Sequence, residues 1–277
     1  EIRTRFGRNS KKIQGAENIA IAALKAYASS PTQETINKLV SARPTEPALR
    51  NALNFAKNKS VNQALEHFSL SKLQIAKLGS KLIHGIVFTH CHSSTVINIL
   101  KEAKKQGKHF EVFNTETRPL YQGRKTSHEL EKAGIKVTMI IDSAAGDILD
   151  KIPTLPEANL MIIGADAVLG YTRKNKAIGI INKIGSRMFA ELATKHKIPD
   201  YIATDSWKFT NRSIKIEERS FKEVWDTSKN IKIRNPAFET VPAKYITAII
   251  SELGILTPQE FIKKVKKTYP FITKNER

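Results

Sequence analysis

At about residue 82 the apolar pattern of this chain changes period, and no other feature constrains its fold as much. Before that point apolar residues recur at helical spacing in Ala16 to Ala28, Thr32 to Leu39, Pro47 to Ala56 and Val61 to Leu82, with no strand-like run among them. Ser30 ahead of Pro31, Thr45 ahead of Glu46-Pro47 and Ser60 ahead of the longest segment are the residue types that start helices. After it, the short runs Ile83 to Phe88, Glu111 to Phe113, Lys136 to Ile141, Leu160 to Ile163 and Asp200 to Ala203 read as strands. Helical segments intervene or follow at Ser94 to Gln106, Lys125 to Ala133, Ser186 to His196 and Lys244 to Leu253. Strands separated by helices run parallel, because the crossover helix returns the chain to the same end of the sheet. The expectation is an α/β chain, with a helical N-terminal domain over residues 1–80 and a Rossmann-like, doubly wound, mostly parallel sheet over residues 81–277.

Composition narrows the function classes. No apolar run approaches the roughly 18 residues of a membrane span, so no membrane partner is expected. Glu1 to Lys12 is polar and basic with no apolar segment to mark export. The single cysteine cannot close an internal disulfide or build a cysteine-cluster metal site, which fits a cytoplasmic protein. A net charge of +20 would attract polyanions, phosphorylated substrates included. Its lysines are spread, in clusters such as Lys101 to Lys105 and Lys263 to Lys267 that read as solvated helix faces. No basic motif interleaved with aromatics accompanies them, so nucleic acid is not an expected partner.

In a parallel sheet the residues just past each strand face one crevice, where distant segments converge. Four polar corners stand there: Thr89-His90-Cys91-His92-Ser93, Asn114-Thr115-Glu116-Thr117-Arg118-Pro119, Asp142-Ser143-Ala144 and Gly164-Ala165-Asp166-Ala167. Helix capping alone would favour Ser, Thr and Asp at such corners. A lone cysteine is usually a small buried residue. Cys91, however, sits at a helix entrance between two histidines, where positive potential would lower its pKa and favour the thiolate. His90 and His92, two residues apart on an irregular corner without a third ligand, do not suggest a metal. Asp166 precedes a mobile-looking stretch, Leu169 to Gly179, and is either a turn residue or an acid/base facing Cys91. Arg118, held extended by Pro119, is placed to bind an anion in the crevice. Asn182-Lys183-Ile184-Gly185-Ser186 joins an amide, an ammonium and a helix entrance suited to phosphate or sugar hydroxyls, and Gly15-Ala16 offers backbone N–H groups to a second anion.

Taken together these segments resemble the superfamily of the regulatory subunits of translation initiation factor 2B, methylthioribose-1-phosphate isomerase and archaeal ribose-1,5-bisphosphate isomerase. The resemblance rests on Lys12-Ile13-Gln14-Gly15-Ala16, Thr89-His90-Cys91-His92-Ser93-Ser94, Glu116-Thr117-Arg118-Pro119 with Gln122-Gly123, Asp142-Ser143, Gly164-Ala165-Asp166-Ala167, Asn182-Lys183-Ile184-Gly185 and Asn235-Pro236-Ala237-Phe238-Glu239. It implies a catalytic pair, Cys91 and Asp166, which the regulatory subunits generally lack. It implies substrate binding by Gln14, Gly15, Ala16, Arg118, Gln122, Asn182 and Lys183. His92-Ser93-Ser94 and Ala167, in a short chain, resemble the ribose-1,5-bisphosphate type more than the methylthioribose type. Gln14 departs from the family's usual arginine, giving up a charge-assisted phosphate contact that Arg3, Arg5 or Lys12 could supply.

By this resemblance the chain is an aldose–ketose isomerase converting ribose 1,5-bisphosphate to ribulose 1,5-bisphosphate in AMP salvage. Cys91 would move a proton during ring opening and Asp166 would take the C2 hydroxyl proton, with the helical domain closing to exclude water. No cofactor and no metal are needed for an internally balanced reaction. The resemblance also implies a homo-oligomer, dimer or trimer of dimers, and leaves room for a nucleotide effector. The alternatives are a methylthioribose-1-phosphate isomerase or a non-catalytic regulatory protein related to the initiation-factor subunits.

Overall fold

The computed structural model describes residues 15–43, 45–152, 159–170, 178–227 and 230–274. Four helices come first: α1 (Ala16–Ser29), α2 (Gln33–Ala42), α3 (Pro47–Asn58) and α4 (Val61–Ser80). Ser60 caps α4 by accepting the Gln63 N–H, as its position suggested. The cap of α2 is Thr32, two residues past the expected Ser30, with its side chain accepting from Thr35. At α3 the cap position falls to Glu46, whose side chain makes no capping bond, with Pro47 opening the first turn.

The sheet segment follows as β1 (Gly85–Thr89), α5 (Ser94–Lys105), β2 (Phe110–Thr115), α6 (Gln122–Glu131), β3 (Lys136–Ile140), α7 (Ala145–Lys151), β4 (Asn159–Gly164), β5 (Ala167–Leu169), β6 (Gly179–Lys183), α8 (Ser186–Lys195), β7 (Asp200–Ala203), β8 (Phe209–Thr210), β9 (Phe238–Pro242), β10 (Ala248–Ser251), β11 (Gly254–Leu256), α9 (Pro258–Thr268) and α10 (Pro270–Lys274). Seven strands form the main sheet in the order β11-β10-β7-β4-β1-β2-β3. All its pairs are parallel except β10 with β11. From β1 the chain winds outward through β2 and β3, then returns to lay β4 on the other side of β1. The crevice between the C-terminal ends of β1 and β4 is therefore the point where strand order reverses, the usual ligand position of such sheets.

Two differences from the sequence reading have a common cause. Lys244 to Leu253, expected as a helix, is a short 3-10 turn at Ala243–Tyr245 followed by β10, buried along its whole length. A strand covered on both faces is a continuous apolar run without alternation, which periodicity cannot separate from a buried helix. A second sheet, β8-β5-β6-β9, also went unread, because β5 and β8 are only three and two residues long. β5 takes up Leu169, the start of the stretch expected to be mobile; residues 171–177 lie outside the described ones. The helix expected from Lys125 starts at Gln122.

Strand alternation assigns the core. Ile86, Phe88, Met161 and Ile163 face one side, in a cluster with Leu24, Leu49, Leu53 and Phe68 of the helical segment. Val87, Leu160 and Ile162 face the other, against Ile97 and Leu100 of α5. On the first side Asn51 of α3 donates from Nδ2 to the carbonyls of Trp207 (2.7 Å) and Phe209 (3.0 Å), so the helices and the sheet share one interior. Lys101, Lys104 and Lys105 of α5, with Lys263, Lys264, Lys266 and Lys267 of α9, are exposed, as solvated helix faces should be. Among the described residues no helix is long and apolar enough to cross a membrane.

Candidate active site

His90 ties three strand-end corners together. It lies at the end of β1, buried, and its two ring nitrogens are both engaged. Nε2 lies 2.9 Å from the carbonyl of Ile184, which can only accept, so Nε2 carries the proton. Nδ1 is then the acceptor for the hydroxyl of Thr115 at the end of β2, 2.5 Å away. Burial drives the pKa of this ring down to about 4, which keeps it neutral. The next residue, Cys91, takes a left-handed backbone (φ 68), uncommon for a residue with a side chain. Two threonines hold it there: its N–H donates to Thr117 Oγ1 (3.1 Å) and its carbonyl accepts from Thr126 Oγ1 (2.8 Å). Asp142 fixes the Thr117 corner in turn, accepting the N–H groups of Thr117 (2.8 Å) and Arg118 (2.7 Å).

The β4 corner meets the β1 corner at Gly164, where a Cβ would lie 2.6 Å from Ser93 Oγ. Only a residue without a side chain lets the end of β4 lie this close to Ser93. Asp166 is half-buried, and burial raises its pKa, with Lys208 and Lys183 pulling the other way. Lys183, buried at the end of β6 with its ammonium 4.8 Å from the Phe238 ring centre, also acts on Cys91. The thiol nonetheless rises to about 11, because burial outweighs Lys183 and the charges of Asp166 and Asp142 add to it. The expected thiolate is thus corrected: the flanking His90 is neutral, and the resting sulfur is an un-ionised proton donor.

The other expected binding residues spread around this centre. Gly15 (φ 88) precedes α1, whose first-turn Glu17 feels the charge of Lys208, so this helix start faces the same end of the sheet. Gln14 lies outside the described residues, as do Arg3, Arg5 and Lys12. Asn182 is buried and donates to Ser186 Oγ (2.9 Å). Gln122 opens α6 with its Oε1 buried and without a hydrogen-bond partner among the described residues. Arg118 is exposed, its guanidinium donating to Tyr121 Oη (2.6 Å) and the Val224 carbonyl (3.3 Å). The helix entrance at Gly185-Ser186 is already occupied, because Glu239 Oε1 accepts from the N–H groups of Gly185 (2.6 Å) and Arg187 (3.0 Å).

Two residues beside Asp166 escaped the sequence reading. Lys208 is buried and donates to the Ala165 carbonyl (2.7 Å), and its charge acts on the Asp166 carboxyl. The signal was present, since Thr204-Asp205-Ser206-Trp207-Lys208 is a fifth polar corner after a predicted strand. Glu46 was read only as part of a helix start. It lines a cavity together with Asp166, Ile181, Ile214, Lys215 and Phe238, a wall to which Cys91 does not contribute. Farther from Cys91, His67, Asp205 and Glu252 group closely enough to suggest a metal triad. Their atoms already have partners: His67 Nε2 lies 3.1 Å from Asp205, and both Glu252 oxygens accept from Ser206.

The model of the "Initiation factor 2 subunit family" matches residues 12–258. A ribose 1,5-bisphosphate isomerase of Methanocaldococcus jannaschii is 35% identical over 299 residues, covering 95% of this chain and 93% of that protein. A methylthioribose-1-phosphate isomerase of Thermosipho melanesiensis is 34% identical over 254 residues, covering 83% and 70%. Among solved structures, the Pyrococcus horikoshii OT3 translation initiation factor eIF-2B superposes with a TM-score of 0.77 at 27% identity, covering 90% of this chain and 93% of that one.

Proposed function

From the premise that the chain belongs to the initiation factor 2 subunit family, we propose that its substrate is ribose 1,5-bisphosphate and its product ribulose 1,5-bisphosphate. It is an aldose–ketose isomerase of sugar phosphates. What supports this assignment of roles is that Cys91 follows β1 and Asp166 follows β4, the two strands at the switch point, and that the charge of Lys183 acts on both groups.

The phosphate on O1 of this sugar blocks opening through a free anomeric hydroxyl, so the ring must be broken with acid assistance. Cys91 gives its proton to the ring oxygen as the C1–O bond breaks. Asp166, whose carboxyl Lys208 and Lys183 draw toward the ionised form against the burial that raises its pKa, takes the proton of the C2 hydroxyl as that carbon becomes a carbonyl. The hydrogen on C2 moves to C1, and the proton on Asp166 returns to the Cys91 sulfur, restoring both groups. Lys183, Asn182 and the backbone N–H groups at Gly15 and Ala16 bind the phosphates and hydroxyls.

The deciding experiment incubates the purified protein with ribose 1,5-bisphosphate and with methylthioribose 1-phosphate in parallel, following ketose formation by phosphorus NMR. Turnover of the bisphosphate is expected, with Cys91→Ser and Asp166→Asn each slower by roughly 10²- to 10⁴-fold. Turnover of the methylthio sugar alone would reassign the substrate. Turnover of neither would remove the isomerase reading.

A further inference from the structure

The turn between α2 and α3 brings a second carboxyl to Asp166. Glu46 stands at the cap position of α3 yet makes no capping bond, so the usual reason for an acidic residue there does not apply. Its side chain instead faces the cavity it shares with Asp166, and its Oε2 is buried with no hydrogen-bond partner among the described residues. The charged groups acting on it come from four directions: Asp166 after β4, Lys208 after β7, Arg43 at the end of α2 and Glu217 ahead of β9. Lys215 forms another part of the cavity wall.

Two carboxyls in one poorly solvated cavity do not both ionise readily, and they release their protons as a pair. We propose that Glu46 is a positioning residue for Asp166: it retains a proton while Asp166 is ionised, so that the pair presents one negative charge, not two, to an anionic sugar phosphate. Burial, with Asp166 adding to it, raises Glu46 to about 7, so the proton stays through the weakly acid range and is lost above neutrality. Burial raises Asp166 as well, and Lys208 and Lys183 oppose that rise, drawing its carboxyl toward the ionised form. This inference rests on the isomerase reading for its effect on catalysis, but not for the titration itself.

Two measurements separate them. In kcat/KM against pH for ribose 1,5-bisphosphate, the wild type should lose about tenfold between pH 6 and pH 8, since a group with midpoint near 7 is then about nine-tenths ionised. Glu46→Gln, neutral throughout, should keep its pH 6 value at pH 8, and Glu46→Ala should do the same if the amide is poorly accommodated. In substrate-free protein with ¹³C-labelled carboxyls, Glu46 should titrate near pH 7 and shift downward in Asp166→Asn. A wild type without turnover would sink the isomerase reading and leave the NMR titration to decide this one. A Glu46 midpoint unmoved in Asp166→Asn, or an alkaline fall that survives in Glu46→Gln, would overturn the proposal.

Discussion

Cys91 illustrates what a sequence can and cannot say about one residue. Its place on a strand-to-helix corner follows from the apolar run ending at Phe88, and the structure puts it there. Its protonation does not follow, because that depends on how deeply distant segments bury it and on whether His90 is charged. His90 looked like a source of positive potential and is instead a neutral strut between Thr115 and Ile184. His90→Ala would leave a buried hydroxyl and carbonyl unpaired, a loss of roughly 2–4 kcal/mol that a urea titration should show. Asp200 gives a prediction of opposite sign. Only 1% exposed, it has no partner for either carboxyl oxygen among the described residues, and burial raises its pKa well above the usual value. The folded chain then holds a proton that the unfolded chain releases above about pH 4, so stability falls as pH rises from there toward the folded pKa. Asp200→Asn should therefore raise Tm at pH 8 and leave it nearly unchanged at pH 4.

Elements were legible where their pattern was local. The four leading helices and the first three strands followed from their period, and of the expected helix starts Ser60 alone is the cap. β10 was lost because a fully buried strand has no alternation to read, and β5 and β8 because so few residues carry no period at all. What joins the elements into a site was also hidden, since it lies in close approaches between corners far apart in sequence. Gly123 is one such approach, its added Cβ meeting the Thr115 carbonyl oxygen at 1.8 Å, and Gly164 against Ser93 is another. Gly164→Ala should cost about 1–3 kcal/mol by overpacking, with a fall in kcat larger than any change in KM. Adding Ser93→Gly should recover part of that stability, measured by denaturant midpoint, because it removes the atoms the new methyl would strike.

At the scale of the whole molecule, the helical layer and the sheet meet around Trp207. Phe55 packs on Trp207 with ring centres 4.9 Å apart, and His67 stacks on the same indole at 3.7 Å. His67 also pairs with Asp205; burial opposes its charge, but the carboxylate wins and the net shift is upward. The sequence reading placed a domain boundary at residue 80 and imagined the helices as a closing cover, because the apolar period changes there. The period does not reveal that Leu24, Leu53 and Phe68 bury themselves against Phe88, Met161 and Trp207. Heat or denaturant should therefore unfold helices and sheet in one transition, with far-ultraviolet circular dichroism and the fluorescence of buried Trp207 coinciding. The shared interior also bears on cutting the chain. Severed between Ser80 and Gly85, neither piece has a surface of its own to close its core, so each alone should aggregate, while the two produced together should reassemble by fragment complementation.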